Sequence, residues 1–176
     1  MTFIKEKLKH IKAFVFDIDG VLSLDTTPLN KDGDPVRTAN VKDGYAIRNA
    51  LNMGYQIGII TGGAVDRVRL RYEKLGVDCI YLGVRDKMIS LRDFMQKTGI
   101  EAEEILYMGD DLADYQVMTA VGMPVCPSDA VPEIKEISSF VSDRKGGEGC
   151  ARDVIEQVMR AQDTWINENS YYWKST

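Results

Sequence analysis

The chain has 176 residues, 44% of them hydrophobic and 28% charged, with 22 Lys and Arg against 27 Asp and Glu and a formal net charge of -5. That length suits one domain whose core holds without disulfides or a structural metal, and the acidic balance argues against nucleic acid or an anionic membrane as a partner. Three dispersed cysteines, Cys79, Cys126 and Cys150, exclude a zinc ribbon or a C-x-x-C redox pair, and a lone histidine, His10, excludes a His-built metal site and disfavours Ser-His or Cys-His nucleophile pairs. The basic start, Lys5 to Lys12, leads into no signal-peptide core, and the longest uncharged stretch is broken by Asn52, Gly54, Gln56 and Gly58. A cytoplasmic protein with reduced thiols is therefore expected.

Short apolar runs alternate with helical patterns along the chain. Strands are predicted at 13–16, 56–60, 79–82, 105–108, 124–126 and 140–141, and their lack of strict alternation suits burial on both faces, as in a parallel sheet. Helices are predicted at 43–53, 64–75, 86–98, 112–121, 131–137 and 148–162, the first four each stopped by a glycine. The fold class is α/β: a doubly wound, mainly parallel, Rossmann-like sheet with helices on both faces. Residues 22–41 interrupt the alternation with Pro28, Asn30, Asp32-Gly33 and Pro35, which predict a β-hairpin or projecting loop at the carboxyl edge of the sheet. One domain is expected over 1–162. Residues 163–176, with Tyr171, Tyr172 and Trp173, are expected as a frayed tail or one packed on a neighbouring subunit.

Four signals fall at or just after successive predicted strand ends. Asp17-Ile18-Asp19-Gly20-Val21 ends the first strand and can turn one carboxylate and one backbone carbonyl toward a shared point, although Asp and Gly are turn residues in any case. Thr61-Gly62-Gly63 ends the second, where a hydroxyl and free amides at a helix start would hold an anion or merely cap the helix. Lys87 opens a helix after the third; a cation there opposes the helix dipole and asks for a bound anion, unless solvent serves. Gly109-Asp110-Asp111 ends the fourth, with Asp114 nearby, and caps account for one of those acids but not comfortably for three. An open α/β sheet places its site at this edge.

The order Asp, Thr, Lys, acidic cluster resembles the haloacid dehalogenase superfamily from residue 12 to 126. The resemblance implies a magnesium-dependent phosphatase: Asp17 as nucleophile forming an aspartyl phosphate, Asp19 as general acid and base, and Thr61 and Lys87 on the phosphoryl oxygens. It further implies magnesium held by Asp17, the Asp19 carbonyl and Asp110, with Asp111 or Asp114 orienting Lys87 or bound water. No cap domain is evident, so a neighbouring subunit is expected as the lid. Val41-Lys42-Asp43-Gly44, Thr61-Gly62, Arg69-x-Arg71 and Gly146-Gly147-Glu148-Gly149-Cys150-Ala151-Arg152 narrow the resemblance to the 3-deoxy-D-manno-octulosonate 8-phosphate phosphatases. That family implies a homotetramer, a sugar-acid phosphate substrate, a place in lipopolysaccharide biosynthesis, and Gly62, Arg71 and Arg152 as substrate contacts, Arg152 on a mobile glycine-rich lid. Without the resemblance, the glycines read equally as a flexible joint.

One departure bears on the substrate. Gly63 stands where many members of that family carry Arg and the related nine-carbon sugar-acid phosphatases can carry Glu, so a nonulosonate 9-phosphate competes with the eight-carbon ester. Two readings from other classes are weaker. A receiver domain would carry its acidic pair first and its phosphorylated Asp two strands later, whereas here the acidic cluster follows the Thr and Lys. An inactive binding protein would not be expected to retain every catalytic residue type.

Overall fold

The computed structural model describes residues 6–171. Six parallel strands run β1 (Ala13–Phe16), β2 (Gln56–Ile60), β3 (Cys79–Tyr81), β4 (Ile105–Met108), β5 (Met123–Cys126) and β6 (Phe140–Val141), in the sheet order β3-β2-β1-β4-β5-β6. The helices are α1 (Val41–Asn52), α2 (Asp66–Glu73), α3 (Lys87–Thr98), α4 (Tyr115–Ala120), α5 (Pro132–Ile137) and α6 (Cys150–Ala161).

β1 is buried on both faces, which is why its residues read as a continuous apolar run. Phe14 and Phe16 point to one side with Ile47, Ala50, Val154 and Val158, while Ala13 and Val15 point to the other with Leu91, Phe94 and Val117. The chain winds outward from β1 through β2 to β3, then returns to β4 on the opposite flank of β1. This reversal opens a crevice between the carboxyl ends of β1 and β4, the place where such sheets bind ligands. Phe16 pairs with Met108, so the chain leaves both strands at the same level.

Local differences from the sequence expectation have identifiable causes. The segment after β1 forms only one antiparallel bridge, Leu29 to Pro35, in place of a ribbon. Pro28 and Pro35 have no N–H to extend a ladder. Asn30 Oδ1 closes the tip by accepting from Asp32 and Asp34 N–H at 2.9 Å, and the base is tied by Thr38 N donating to Ser23 Oγ at 2.9 Å and Leu24 N to Thr38 Oγ1 at 3.0 Å. The second helix begins at Asp66 rather than 64, because Gly83 N–H and Val84 N–H bond back to the Gly63 and Thr61 carbonyls and hold that stretch as a loop. The fourth splits into a 3₁₀ turn, Leu112–Asp114, and α4.

Residues 163–171, expected as a tail, lie against α1. Trp165 is buried, its carbonyl accepts from Asn49 Nδ2 at 3.0 Å, and the Ser170 carbonyl accepts from Tyr45 Oη. Tyr171 is exposed, while Tyr172 and Trp173 fall outside the described residues. Among the described residues no helix is long and apolar enough to cross a membrane.

Candidate active site

Asp17 follows β1 directly and is nearly buried, its Oδ1 accepting from Ile18 N–H at 2.6 Å and its Oδ2 lying 2.7 Å from Lys87 Nζ. Lys87 is the first residue of α3, whose N-cap is Asp86. The compensation that a cation needs at that position comes from two carboxylates, since Lys87 Nζ also donates to Asp114 Oδ1 at 2.7 Å. Tyr107 Oη donates to the same Asp114 oxygen at 2.7 Å, and Asp110 N–H reaches Asp114 Oδ2 at 3.3 Å.

Two glycines make this convergence sterically possible. A Cβ on Gly20, which has φ +76°, would lie 2.0 Å from Asp110 Oδ2, and a Cβ on Gly109 would lie 2.4 Å from the Asp114 side chain. No alanine fits either contact without displacing the acid. The carboxylates of Asp17, Asp110 and Asp114 thereby bring one oxygen each within 4.8 Å of one another.

Such a cluster is electrostatically costly without a cation. Burial first, and then the neighbouring Asp114 charge, push the Asp17 carboxyl up to about 7 despite the opposing pull of Lys87. Burial, followed by Asp17, Asp114 and Asp111, pushes Asp110 up to about 8. For Lys87 burial alone would lower the pKa, but Asp17 and Asp114 outweigh it and the ammonium is held charged. The three acids exceed the one lysine in charge, and an all-oxygen donor set is what a hard divalent ion takes. The residues present fit magnesium.

The remaining expected residues divide by location. Thr61 is buried beside Asp17 and Lys87 in a cavity of about 400 Å³ lined also by Asp19, Gly62 and Gly63. It does not cap α2: its Oγ1 accepts from Gly63 N–H at 3.1 Å, and Val65 occupies the cap position. Asp111 caps the 3₁₀ turn, accepting from Leu112 N–H at 2.7 Å, and of the two candidate orienting acids Asp114 is the one hydrogen-bonded to Lys87. Arg71 lies outside the cavity of Asp17, in an adjoining groove of about 630 Å³ between α2 and the arm after β1, together with Arg67.

Arg152 departs from expectation. Its guanidinium lies over the rings of Tyr45 and Trp165, at 5.7 and 5.3 Å, and pairs with Glu156 at 3.3 Å, so it does not line the cavity of Asp17 within the chain. The glycine run before it is packed closely against the backbone rather than open as a joint. A Cβ on Gly146 would lie 1.9 Å from the Gly20 carbonyl oxygen, and Gly147 N–H donates to the Val21 carbonyl at 2.7 Å. Close approach therefore accounts for these glycines, and it buttresses the loop that carries Asp19.

Sequence reasoning missed two residues of the site. Tyr107 reads as an ordinary apolar strand position, and only its buried hydroxyl against Asp114 sets it apart. Arg37, on the arm after β1, donates from Nε to Asp19 Oδ1 at 3.0 Å and from Nη2 to Asp19 Oδ2 at 2.9 Å. Nothing local marks it, because its partner lies 18 residues earlier across a turn.

Comparison with known proteins identifies relatives of this chain. Residues 83–153 match the family model described as haloacid dehalogenase-like hydrolase. The 3-deoxy-D-manno-octulosonate 8-phosphate phosphatase of Salmonella typhi is 35% identical over 92% of this chain and 86% of its own, and the Escherichia coli K12 enzyme of the same name is 36% identical over 89% and 83%. The crystal structure of that phosphatase from Yersinia pestis superposes with a TM-score of 0.88 at 31% identity, covering 92% of this chain and 87% of its own. The Moraxella catarrhalis structure, in complex with a magnesium ion, a phosphate ion and KDO, superposes with a TM-score of 0.87 at 32% identity, covering 93% and 94%.

Proposed function

The chain belongs to the haloacid dehalogenase-like hydrolases, in the family of the 3-deoxy-D-manno-octulosonate 8-phosphate phosphatases, and on that basis we propose that it hydrolyses the phosphate monoester of a 3-deoxy-2-keto sugar acid, 3-deoxy-D-manno-octulosonate 8-phosphate first among them. It is a phosphoric monoester hydrolase with magnesium as cofactor. Asp17, Asp110 and the Asp19 carbonyl would hold the ion. Asp114 is assigned to position Lys87, because its two oxygens already accept from Lys87, Tyr107 and Asp110 N–H. Magnesium, when bound, supplies charge that offsets the clustered carboxylates and the phosphoryl oxygens.

In the reading we favour, Asp17 attacks phosphorus and the ester P–O bond breaks, its electron pair leaving on the sugar oxygen, which takes a proton from Asp19. Water then attacks the aspartyl phosphate and gives a proton to Asp19. The P–O bond to Asp17 breaks and inorganic phosphate leaves, restoring both carboxyls. Lys87 and the Thr61 loop neutralise the phosphoryl oxygens throughout. The observation that carries this reading is Lys87 Nζ held 2.7 Å from both Asp17 and Asp114 at the β1–β4 crevice. The position of Arg71 in the groove adjoining the cavity supports its assignment to the sugar-acid carboxylate. The exposed Leu29 and Val36 on the arm support its docking over a neighbouring subunit in a tetramer.

Specificity constants for octulosonate 8-phosphate, a nonulosonate 9-phosphate and hexose phosphates, measured with saturating magnesium, test the substrate. The eight-carbon acid is expected to lead hexose phosphates by on the order of 10⁴-fold, the scale at which a site built for a polar group rejects ligands lacking it. A lead for the nine-carbon acid would reassign the substrate within the class. Hexose phosphates matching both acids would overturn the role of Arg71.

A further inference from the structure

Arg37 and Gly63 meet at the rim of the cavity that holds Asp17, Thr61 and Lys87. A Cβ built on Gly63 would stand 2.6 Å from Arg37 Nη2 and 3.1 Å from its Cζ, so the guanidinium occupies the space a side chain at 63 would need. The arm fixes it there. Thr38, the next residue, is clamped to Ser23 at the base of the arm, and Arg37 Nη1 donates to the Pro35 carbonyl at 3.3 Å. With Nε and Nη2 on Asp19, three of the five guanidinium N–H groups are used, and two remain for a ligand oxygen.

The charges around the cavity give that surplus a purpose. Lys87 lies 2.7 Å from two carboxylates, so it shares its charge between them and an arriving dianion and cannot balance the dianion alone. Arg85, the third lining cation, is exposed. Of the two lining arginines, Arg37 is the one shielded from solvent, its side chain 13% exposed, and it is set against the Thr61–Gly63 loop. Its fork matches two oxygens of a phosphoryl group.

We propose that Arg37 is a phosphoryl-binding residue of this enzyme, held on Asp19 when the cavity has no ligand and turned onto the ester when it does, and that position 63 is glycine to admit it. The proposal rests on the phosphatase reading but not on which sugar acid is the substrate. It differs from a purely structural ion pair in its readout: loss of Arg37 weakens the binding of inorganic phosphate itself, and a methyl group at 63, which meets the Nη2 that donates to Asp19 Oδ2, should do the same. The side chain end is flexible enough to yield to that methyl without disturbing the backbone.

Inorganic phosphate is titrated calorimetrically into the magnesium-loaded protein as wild type, Arg37→Ala, Arg37→Lys, Gly63→Ala and the double variant Arg37→Ala/Gly63→Ala. In parallel, kcat and KM are measured for p-nitrophenyl phosphate and octulosonate 8-phosphate. Arg37→Ala is expected to weaken phosphate and raise both KM values by at least about tenfold, with kcat moving less, as loss of a charge-assisted pair requires. Arg37→Lys recovers part of that loss, and Gly63→Ala imitates Arg37→Ala while adding nothing to it in the double variant. Unchanged phosphate affinity in Arg37→Ala overturns the proposal, as do independent, multiplying effects of the two substitutions. A KM change confined to the octulosonate ester would move Arg37 to the sugar end and also overturn it. If wild type cleaves p-nitrophenyl phosphate but no sugar-acid ester, the substrate reading fails while the phosphate titration still decides the role of Arg37. Should Arg37→Ala melt before it can be titrated, Gly63→Ala decides the same question: weakened phosphate supports the role and unchanged phosphate overturns it.

Discussion

Asp110, at the end of β4, and Asp43, in the first turn of α1, are both carboxyls withdrawn from water, yet burial leads them to different ends. Asp43 is raised to about 6, by burial first, with the backbone N–H and charge of Arg152 and the Gly149 N–H pulling it back. Asp110 is raised to about 8, because burial there is joined by Asp17, Asp114 and Asp111. Desolvation is common to the two sites; like charge is what separates them. A single buried acid can serve as a cap for a neighbouring helix, as Asp43 Oδ1 does in accepting from Arg152 N–H at 2.8 Å in the first turn of α6. Three acids around one lysine are strained until a cation joins them.

Removing one charge from the cluster attacks that contrast most directly. Asp17→Asn takes away both the proposed nucleophile and a member of the repelling set, while Lys87 keeps Asp114 as its partner. Turnover is expected to fall by on the order of 10⁴-fold or more, the scale seen when a covalent nucleophile is lost. In metal-free buffer at pH 8 the variant should melt no lower than wild type by circular dichroism. Retained turnover would sink the assignment of Asp17, and a collapsed melting temperature would mean that the acid supports the fold rather than strains it.

The cluster also differs from the isolated acid in how pH and metal act on it together. The folded-state pKa values of Asp17 and Asp110, about 7 and about 8, stand above the ordinary carboxyl value of 3.8, so the metal-free fold binds these protons more tightly than the unfolded chain. Stability of the metal-free protein therefore falls as pH rises from 4 through 8. Magnesium takes the place of the protons, and its binding strengthens over the same interval. The rise in melting temperature on adding magnesium should be several degrees larger at pH 8.5 than at pH 6, on the order of what 1–2 kcal/mol produces in a domain of this size. An increment independent of pH would contradict a site built on these two groups.

The strand ends at the candidate site are readable in the sequence because β1, β2 and β4 are short apolar runs, each followed within two residues by a polar residue suited to the proposed chemistry: Asp17, Thr61 and Asp110. Lys87 is readable because a cation at a helix start contradicts the dipole, and the two carboxylates that resolve the contradiction are long-range neighbours. What escapes the sequence is set by tertiary approach. Arg37 reaches Asp19 across a loop whose path no local propensity fixes. Arg152 lies over Tyr45 and Trp165, and that placement depends on residues 163–171 folding back on α1, which polar composition alone would leave loose. The glycines at 146 and 147 are as compatible with a lid as with tight packing until the backbone of residues 20–24 is seen against them.

Asp43, the isolated acid, should respond more gently. Its Oδ2 is buried without a hydrogen-bond partner, so the neutral acid and an asparagine face nearly the same environment there, each able to present Oδ1 to Arg152 N–H. Wild type loses stability as pH rises from 4 through about 6, because the folded carboxyl sits above the ordinary 3.8 and must ionise against its surroundings. Asp43→Asn does not titrate. The variant should match wild type near pH 4 and exceed it at pH 7.5 by up to about 3 kcal/mol in urea unfolding. That gain should be the same with and without magnesium, whereas the pH dependence of the cluster should vanish once magnesium is bound. A gap between variant and wild type that stays flat with pH would show that Asp43 is already charged at no cost, and that helix capping by Arg152 and Gly149 N–H groups fully offsets its burial.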